Sequence, residues 1–197
     1  FIDEYSLTGT LVQSIALPTV TAAPTNACIS SGTATSEGLL TRSADGNFLL
    51  ATCYKRDLGG TGSLSGTSAA AVNRVVARID GAGAVDTSTA LIDYADGNNP
   101  RGATSTDGNA IYVSGGAGGI RFATLGSSTS TQLSTTVTNL RQPAIFGGQL
   151  MVSTQSGSAV RIGTVGSGTP TTIGQTISNL PGFPLTGLPN GFVLLDL

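Results

Sequence analysis

Residues 105–126 read STDGNAIYVSGGAGGIRFATLG. A turn signal, Asp107-Gly108-Asn109, precedes the apolar run at Ala110 to Val113. A glycine cluster, Gly115 to Gly119, then separates that run from a second one beginning at Ile120. Tight hairpin turns need backbone with positive φ, which Gly, Asn and Asp supply, so turn residues between apolar runs predict two antiparallel strands. Whether this is a single hairpin or one copy of a repeated unit decides the fold.

The stretch has relatives. DGNAIYVSGG from Asp107 matches DGNFLLATCY from Asp45, GGQLMVSTQS from Gly147 and PNGFVLLDL from Pro189. The last two intervals are 40 and 42 residues and the first is 62. The longer interval contains KRDLGGTGSLSGTSAAAVN, residues 55–73, which reads as an enlarged Gly/Ser-rich loop. Each copy is followed by a second apolar run: RVVARID from Arg74, GIRFATLG from Gly119 and AVRIGTVG from Ala159. A third, more polar run comes next: DTSTALIDY from Asp86, STQLSTTVTNL from Ser130 and PTTIGQTISNL from Pro170. A further short run precedes each turn: SEGLLTRSA, NPRGATST, LRQPAIF and GFPLTGL.

Four short strands in about 40 residues is the pattern of a β-propeller blade. The fold class expected is therefore all-β, a β-propeller with four-stranded blades. Residues 1–20 read as the end of a blade, 36–95, 99–140 and 141–180 as full blades, and 181–197 as the start of another. That is about four blades' worth of chain. Closure of the N-terminal and C-terminal pairs into one blade would give a four-bladed ring. An apolar run such as FVLLDL would otherwise be an unprotected edge. The expectation is thus part of a larger ring, completed by a second chain or by the remainder of the same polypeptide. The segment SAAAVNRVV, residues 68–76, is the one helix candidate.

Composition narrows the function. Charged residues make up 10% of the chain, but 39% are apolar and fall in short regular runs, so a folded core is expected rather than disorder. The net charge is −2 and the 9 basic residues are scattered, which argues against nucleic-acid binding. No apolar stretch reaches membrane-spanning length. Richness in Ser, Thr and Gly with little Lys or Glu points to a secreted, extracellular protein. Cys28 and Cys53 would pair in that setting, or stand as two buried thiols; their spacing decides neither.

The segments TSEGLLTRSADG at 35–46, VNRVVARID at 72–80, TLGSSTSTQLSTT at 124–136 and ISNLPGFP at 177–184 resemble an uncharacterised group of secreted repeat proteins found among bacterial and plant sequences. The resemblance spans the chain. It implies a propeller that continues beyond these residues, as a truncated or cleaved portion of a longer protein. It brings no assigned activity and no catalytic residues.

The chain has no histidine. His-based acid–base catalysis, Ser-His-Asp sites and His-ligated zinc are therefore excluded for this chain on its own. GGAGG at 115–119 joins two strands and opens no helix, so it reads as a hairpin turn rather than a phosphate cradle. Asp93 and Asp96, in DYADGNN, are weak calcium candidates; the loop lacks the alternating ligand spacing and closing Glu of a dedicated calcium loop. No cofactor is otherwise expected. Arg74, Arg121 and Arg161 stand near the starts of successive second runs. They are read either as a ring of like side chains on a ligand face or as structural arginines bonding loop carbonyls. Tyr54, Tyr94 and Tyr5 lie near strand ends and are candidate ligand-facing aromatics. Phe48, Phe122, Phe146 and Phe192 are expected in the core. The function expected is a non-enzymatic extracellular binding or scaffold module for a glycan or protein. The alternatives are a propeller-type hydrolase or lyase that uses carboxylates such as Asp93 and Asp96, with its site completed elsewhere, and a structural or storage protein.

Overall fold

The computed structural model describes residues 1–195. It is all-β, with no helix among those residues. A hairpin comes first: β1 (Ile2–Tyr5) pairs antiparallel with β2 (Leu11–Ile15). Three four-stranded antiparallel sheets follow in chain order. The first contains β3 (Thr41–Arg42), β4 (Phe48–Tyr54), β5 (Arg74–Asp80) and β6 (Val85–Leu91). The second contains β7 (Pro100–Ser105), β8 (Ala110–Gly115), β9 (Ile120–Thr124) and β10 (Thr131–Gln132). The third contains β11 (Pro143–Phe146), β12 (Gln149–Ser153), β13 (Ile162–Val165) and β14 (Ile177–Asn179). Each is a simple meander whose strands are neighbours in sequence order, and no sheet closes on itself.

The period-2 rule explains how the sheets stack. In β4 and β5, Leu50 and Val76 face the second sheet, where they meet Ile111, Val113 and Ala123. The alternate residues Cys53, Val75, Ala77 and Ile79 face the other way, toward Ile2, Ile15 and Leu17. In β8 the same alternation sends Tyr112 toward Leu150 and Val152 of the third sheet. Central strands are thus apolar on both faces, as their unbroken apolar runs predict. The seams join at the first strands: β7 packs against β3 and β4, and β11 against β7 and β8.

Several sequence expectations change. Residues 68–76 form no helix; Ser68 to Asn73 finish the long loop and Arg74 already pairs with Tyr54. The third runs are the more polar ones, yet Thr87 and Thr89 of β6 are buried. Thr87 lies under a covering segment, where Asn26 N–H donates to Thr87 Oγ1 and Thr87 Oγ1 donates back to the Asn26 carbonyl, and Thr89 Oγ1 accepts the Gly126 N–H from beyond β9. GFPLTGL and NGFVLL, expected as the first strands of a further blade, are not strands among the described residues. Asp196 and Leu197, the last residues of that expected blade, lie outside the described residues. Phe146 is exposed rather than core, and Phe192 lies outside any strand.

The Asp-Gly turns hold themselves together. Asp107 Oδ1 accepts the Asn109 and Ala110 N–H groups, each at 2.9 Å. These bonds, Ala110's first, hold its carboxyl below the usual range. A depressed folded pKa gives stabilisation that is present above the unfolded value and lost as pH falls through the folded one. Acidification below the ordinary carboxylate range should therefore lower the protection of the Asn109 and Ala110 amides, read as exchange relative to an unfolded peptide at the same pH, and D107A should abolish that pH-dependent loss. Protection that is flat with pH in the parent protein would contradict this.

Candidate functional site

The first strands of the three sheets converge. Leu40 to Gly46, Thr104 of β7, Gln142 and the end of β11 border one cavity of about 610 Å³, and Phe192 to Leu194 complete its wall. A second cleft of about 360 Å³ lies between the hairpin and the first sheet, lined by Ile2, Asp3 and Glu4 on one side and by Phe48, Leu49 and Ile79 on the other. Leu40, Arg42 and Gly46 border both, so β3 is their shared rim; the larger of the two is the depression across β3.

Its chemistry is mixed. Ile145, Phe146 and Val193 supply an apolar wall; Arg42, Ser43, Thr104 and Gln142 supply polar groups. Arg42 Nε donates to the Gly46 carbonyl at 3.0 Å, which lays the exposed guanidinium along the turn. Asp45 accepts from Ser43 Oγ at 2.6 Å and from the Asn47 N–H at 3.1 Å, and these bonds, Ser43's first, hold its carboxyl low. Such a depression suits a ligand with an apolar body and hydrogen-bond acceptors. The sequence marks Asp45 and Gly46 as a turn, but nothing local in it says that three first strands meet; Arg42 and Gln142 emerge only from that convergence.

The residues singled out by sequence lie elsewhere and apart. Tyr54, Tyr94 and Arg74 are fully buried, so they offer no face to a ligand. Tyr54 and Tyr94 are pushed well above the usual phenol range, chiefly by burial. Tyr94 OH donates to the Ser114 carbonyl at 2.5 Å, which ties the β6–β7 connection to β8. The three arginines occupy three different register positions. Arg74 opens β5 opposite Tyr54, Arg121 is the second residue of β9 opposite Val113, and Arg161 precedes β13. Arg121 pairs with Asp93 at 3.0 Å, and Arg161 donates to the Gly157 and Val160 carbonyls. They form no ring of like side chains.

Asp93 also accepts from Ser130 N–H and Oγ, and Asp96 Oδ1 accepts the Ala69 N–H. The two carboxylates thus serve separate loops. Among the described residues no three His, Cys, Asp or Glu side chains gather as a metal-binding group. Cys28 and Cys53 form a disulfide. GGAGG is the turn between β8 and β9. Gly119 has φ +68°, and a side chain there would meet the Ser134 carbonyl oxygen at 2.8 Å, so close backbone approach, not a ligand, accounts for glycine.

Among arginines the sequence reading passed over, Arg101 is buried and donates to Asn139 Oδ1 and the Leu140 carbonyl, joining the second sheet to the lead-in of the third. Burial, and then neighbouring Arg141, push it down to about 10. No family model matches the chain, and neither the curated proteins nor the solved structures contain a match to it.

Proposed function

We propose that this chain is a non-enzymatic extracellular binding or scaffold module built as a β-propeller, with the depression across β3 as its ligand surface. The three four-stranded meanders are its blades, the hairpin is part of a fourth, and a second chain or the rest of the same polypeptide completes the ring. The observation that carries this reading is the convergence of β3, β7 and β11 on one cavity, since first strands gather around the axis when blades are arranged radially. The mixed wall, with Arg42 beside apolar side chains, fits a glycan or protein segment better than a compact polar metabolite. A carboxylate-based hydrolase or lyase finds less support, because Asp93 and Asp96 are already bonded to their own loops.

The test is a binding screen of the purified chain against glycan, peptide and extracellular-matrix arrays, repeated with R42A and I145K. Binding that both variants weaken supports the reading. No binding at all, or binding indifferent to both variants, contradicts it. Any turnover found in parallel substrate screens that D93N/D96N abolishes would favour the enzyme instead.

A further inference from the structure

Asn190-Gly191 is the one Asn-Gly pair in the chain. It lies outside any strand, and both residues are exposed. A side chain at position 191 would meet Gln142 Oε1 at 2.6 Å, so close approach accounts for glycine there. Glycine also leaves its own amide nitrogen unshielded. The next amide, Phe192 N–H, donates to Gln142 Oε1 at 3.0 Å, but the Gly191 N–H makes no hydrogen bond among the described residues. That nitrogen is free to form a bond elsewhere, and the nearest electrophile in the chain is the side-chain amide carbon of Asn190, one residue before it.

Neighbouring side chains act on both groups that such a bond would join. Arg141 Nη2 donates to Gln155 Oε1 at 2.6 Å, which fixes the Gln155 amide with Nε2 as its donor end. Nε2 then donates to the Leu188 carbonyl and to Asn190 Oδ1, each at 2.9 Å. A donor on Oδ1 polarises the Asn190 side-chain carbonyl and stabilises the negative charge that develops on that oxygen under attack. Ser153 Oγ is buried, accepts the Gln142 N–H at 3.1 Å, and donates to the Asn190 backbone carbonyl at 3.4 Å. That carbonyl belongs to the same peptide group as the Gly191 nitrogen, so a donor on it makes the Gly191 N–H more acidic. Asp45 and Asp107 also precede glycine, but a carboxylate is ionised at neutral pH and is a poor electrophile.

We propose that Asn190-Gly191 is a self-modification site, at which the folded chain converts Asn190 to aspartate and isoaspartate. The Gly191 nitrogen gives its proton to a solvent base and bonds to Asn190 Cγ. The Cγ–Nδ2 bond breaks, and the nitrogen takes a proton from water and leaves as ammonia. Water then opens the cyclic imide at either carbonyl. Opening at Cγ gives aspartate; opening at the backbone carbonyl leaves the main chain routed through Cγ, as isoaspartate. Water is consumed, ammonia is released, and nothing is oxidised or reduced. The new carboxylate stands beside Gln155, with the Arg141 guanidinium behind it. Isoaspartate also adds a methylene to the main chain directly before Phe192, Val193 and Leu194, so the modification shifts a wall of the depression across β3.

The chemistry needs no ligand and no further chain, so it stands or falls apart from the binding reading. The experiment is incubation of the whole folded chain at mildly alkaline pH, followed by proteolysis and mass spectrometry of the peptide that holds Asn190. The same chain unfolded in guanidinium chloride runs alongside, with Q155E and Q155L in the folded state. Glutamate keeps the size of Gln155 and its acceptor for Arg141 but loses the donor to Oδ1; leucine loses the donor without adding charge. The peptide should gain the mass of deamidation, with isoaspartate among its products. Conversion should run about fivefold or more faster in the folded chain than in the unfolded one, and each variant should slow it by about fivefold to tenfold, the worth of one hydrogen bond. Three results would overturn the proposal: an Asn190 that stays intact in the folded chain, conversion no faster folded than unfolded, or either variant, folded by circular dichroism, converting at the parent rate. The folded-to-unfolded comparison decides on its own where a variant does not fold.

Discussion

Replacing Arg74 with alanine should destabilise the protein by about 3 kcal/mol or more, among the largest effects of any single side chain. Arg74 is 0% exposed and has no carboxylate among its hydrogen-bond partners. Its charge is met by oxygen dipoles. One terminal nitrogen donates to Thr67 Oγ1 at 3.1 Å and to the Val72 carbonyl; the other reaches the carbonyls of Thr67, Ala95 at 3.2 Å and Asn98 at 3.0 Å. The guanidinium also stacks 4.8 Å from the Tyr54 ring centre. Two loops meet on this one fork, the long 55–73 excursion and the β6–β7 connection. Truncation strands all their carbonyls in a buried place at once, and lysine, with a single nitrogen, cannot replace a planar fork. Chemical denaturation of R74A and R74K reads this directly. A loss under about 1 kcal/mol for R74A would show that water reaches these carbonyls and satisfies them.

Removing the Cys28–Cys53 bond should cost about 3.5 kcal/mol, the loop-closure value for the 25-residue separation it spans. In a domain of this size that lowers Tm by roughly 7–14 °C. The bond fastens the segment that covers β6 to the end of β4. Without it, the reciprocal bonds between Asn26 and Thr87 and the backbone pair Ile29–Tyr54 must hold that segment. The double variant C28A/C53A avoids burying new polar atoms, and reduction of the parent protein should give a similar loss. Protection of the Thr87 and Thr89 amides should fall first. An unchanged Tm in both experiments would mean that the segment is held by packing and hydrogen bonds alone.

Where a local signal governed the outcome, the sequence was legible. Asp45-Gly46 and Asp107-Gly108 place hairpin turns, and the apolar runs behind them become β4 and β8, buried on both faces. The 55–73 loop reads as a loop because Gly and Ser dominate it. Where a distant partner governed, it was not. Thr87 and Thr89 look like surface residues until two distant partners meet them, Asn26 on Thr87 and Gly126 on Thr89. Tyr54 and Tyr94 sit at strand ends, where exposure is the natural expectation, yet two long connections close over them. NGFVLL has the composition of a strand, but a strand needs a neighbour to bond, and here the Phe192 N–H is taken by the Gln142 side chain and not by a neighbouring strand. The depression across β3 was least legible of all, because it exists only where three first strands meet.

Paired spin labels measure that convergence of first strands. Blades fan outward from an axis, so first strands of the flanking sheets should lie closer together than their fourth strands. Labels at Arg42 of β3 and Phe146 of β11, which border the same cavity, should therefore give a shorter distance by pulsed electron paramagnetic resonance than labels at Asp86 of β6 and Ser178 of β14. Equal distances would describe a flat stack of sheets and contradict the propeller; a longer inner distance would reverse the fan.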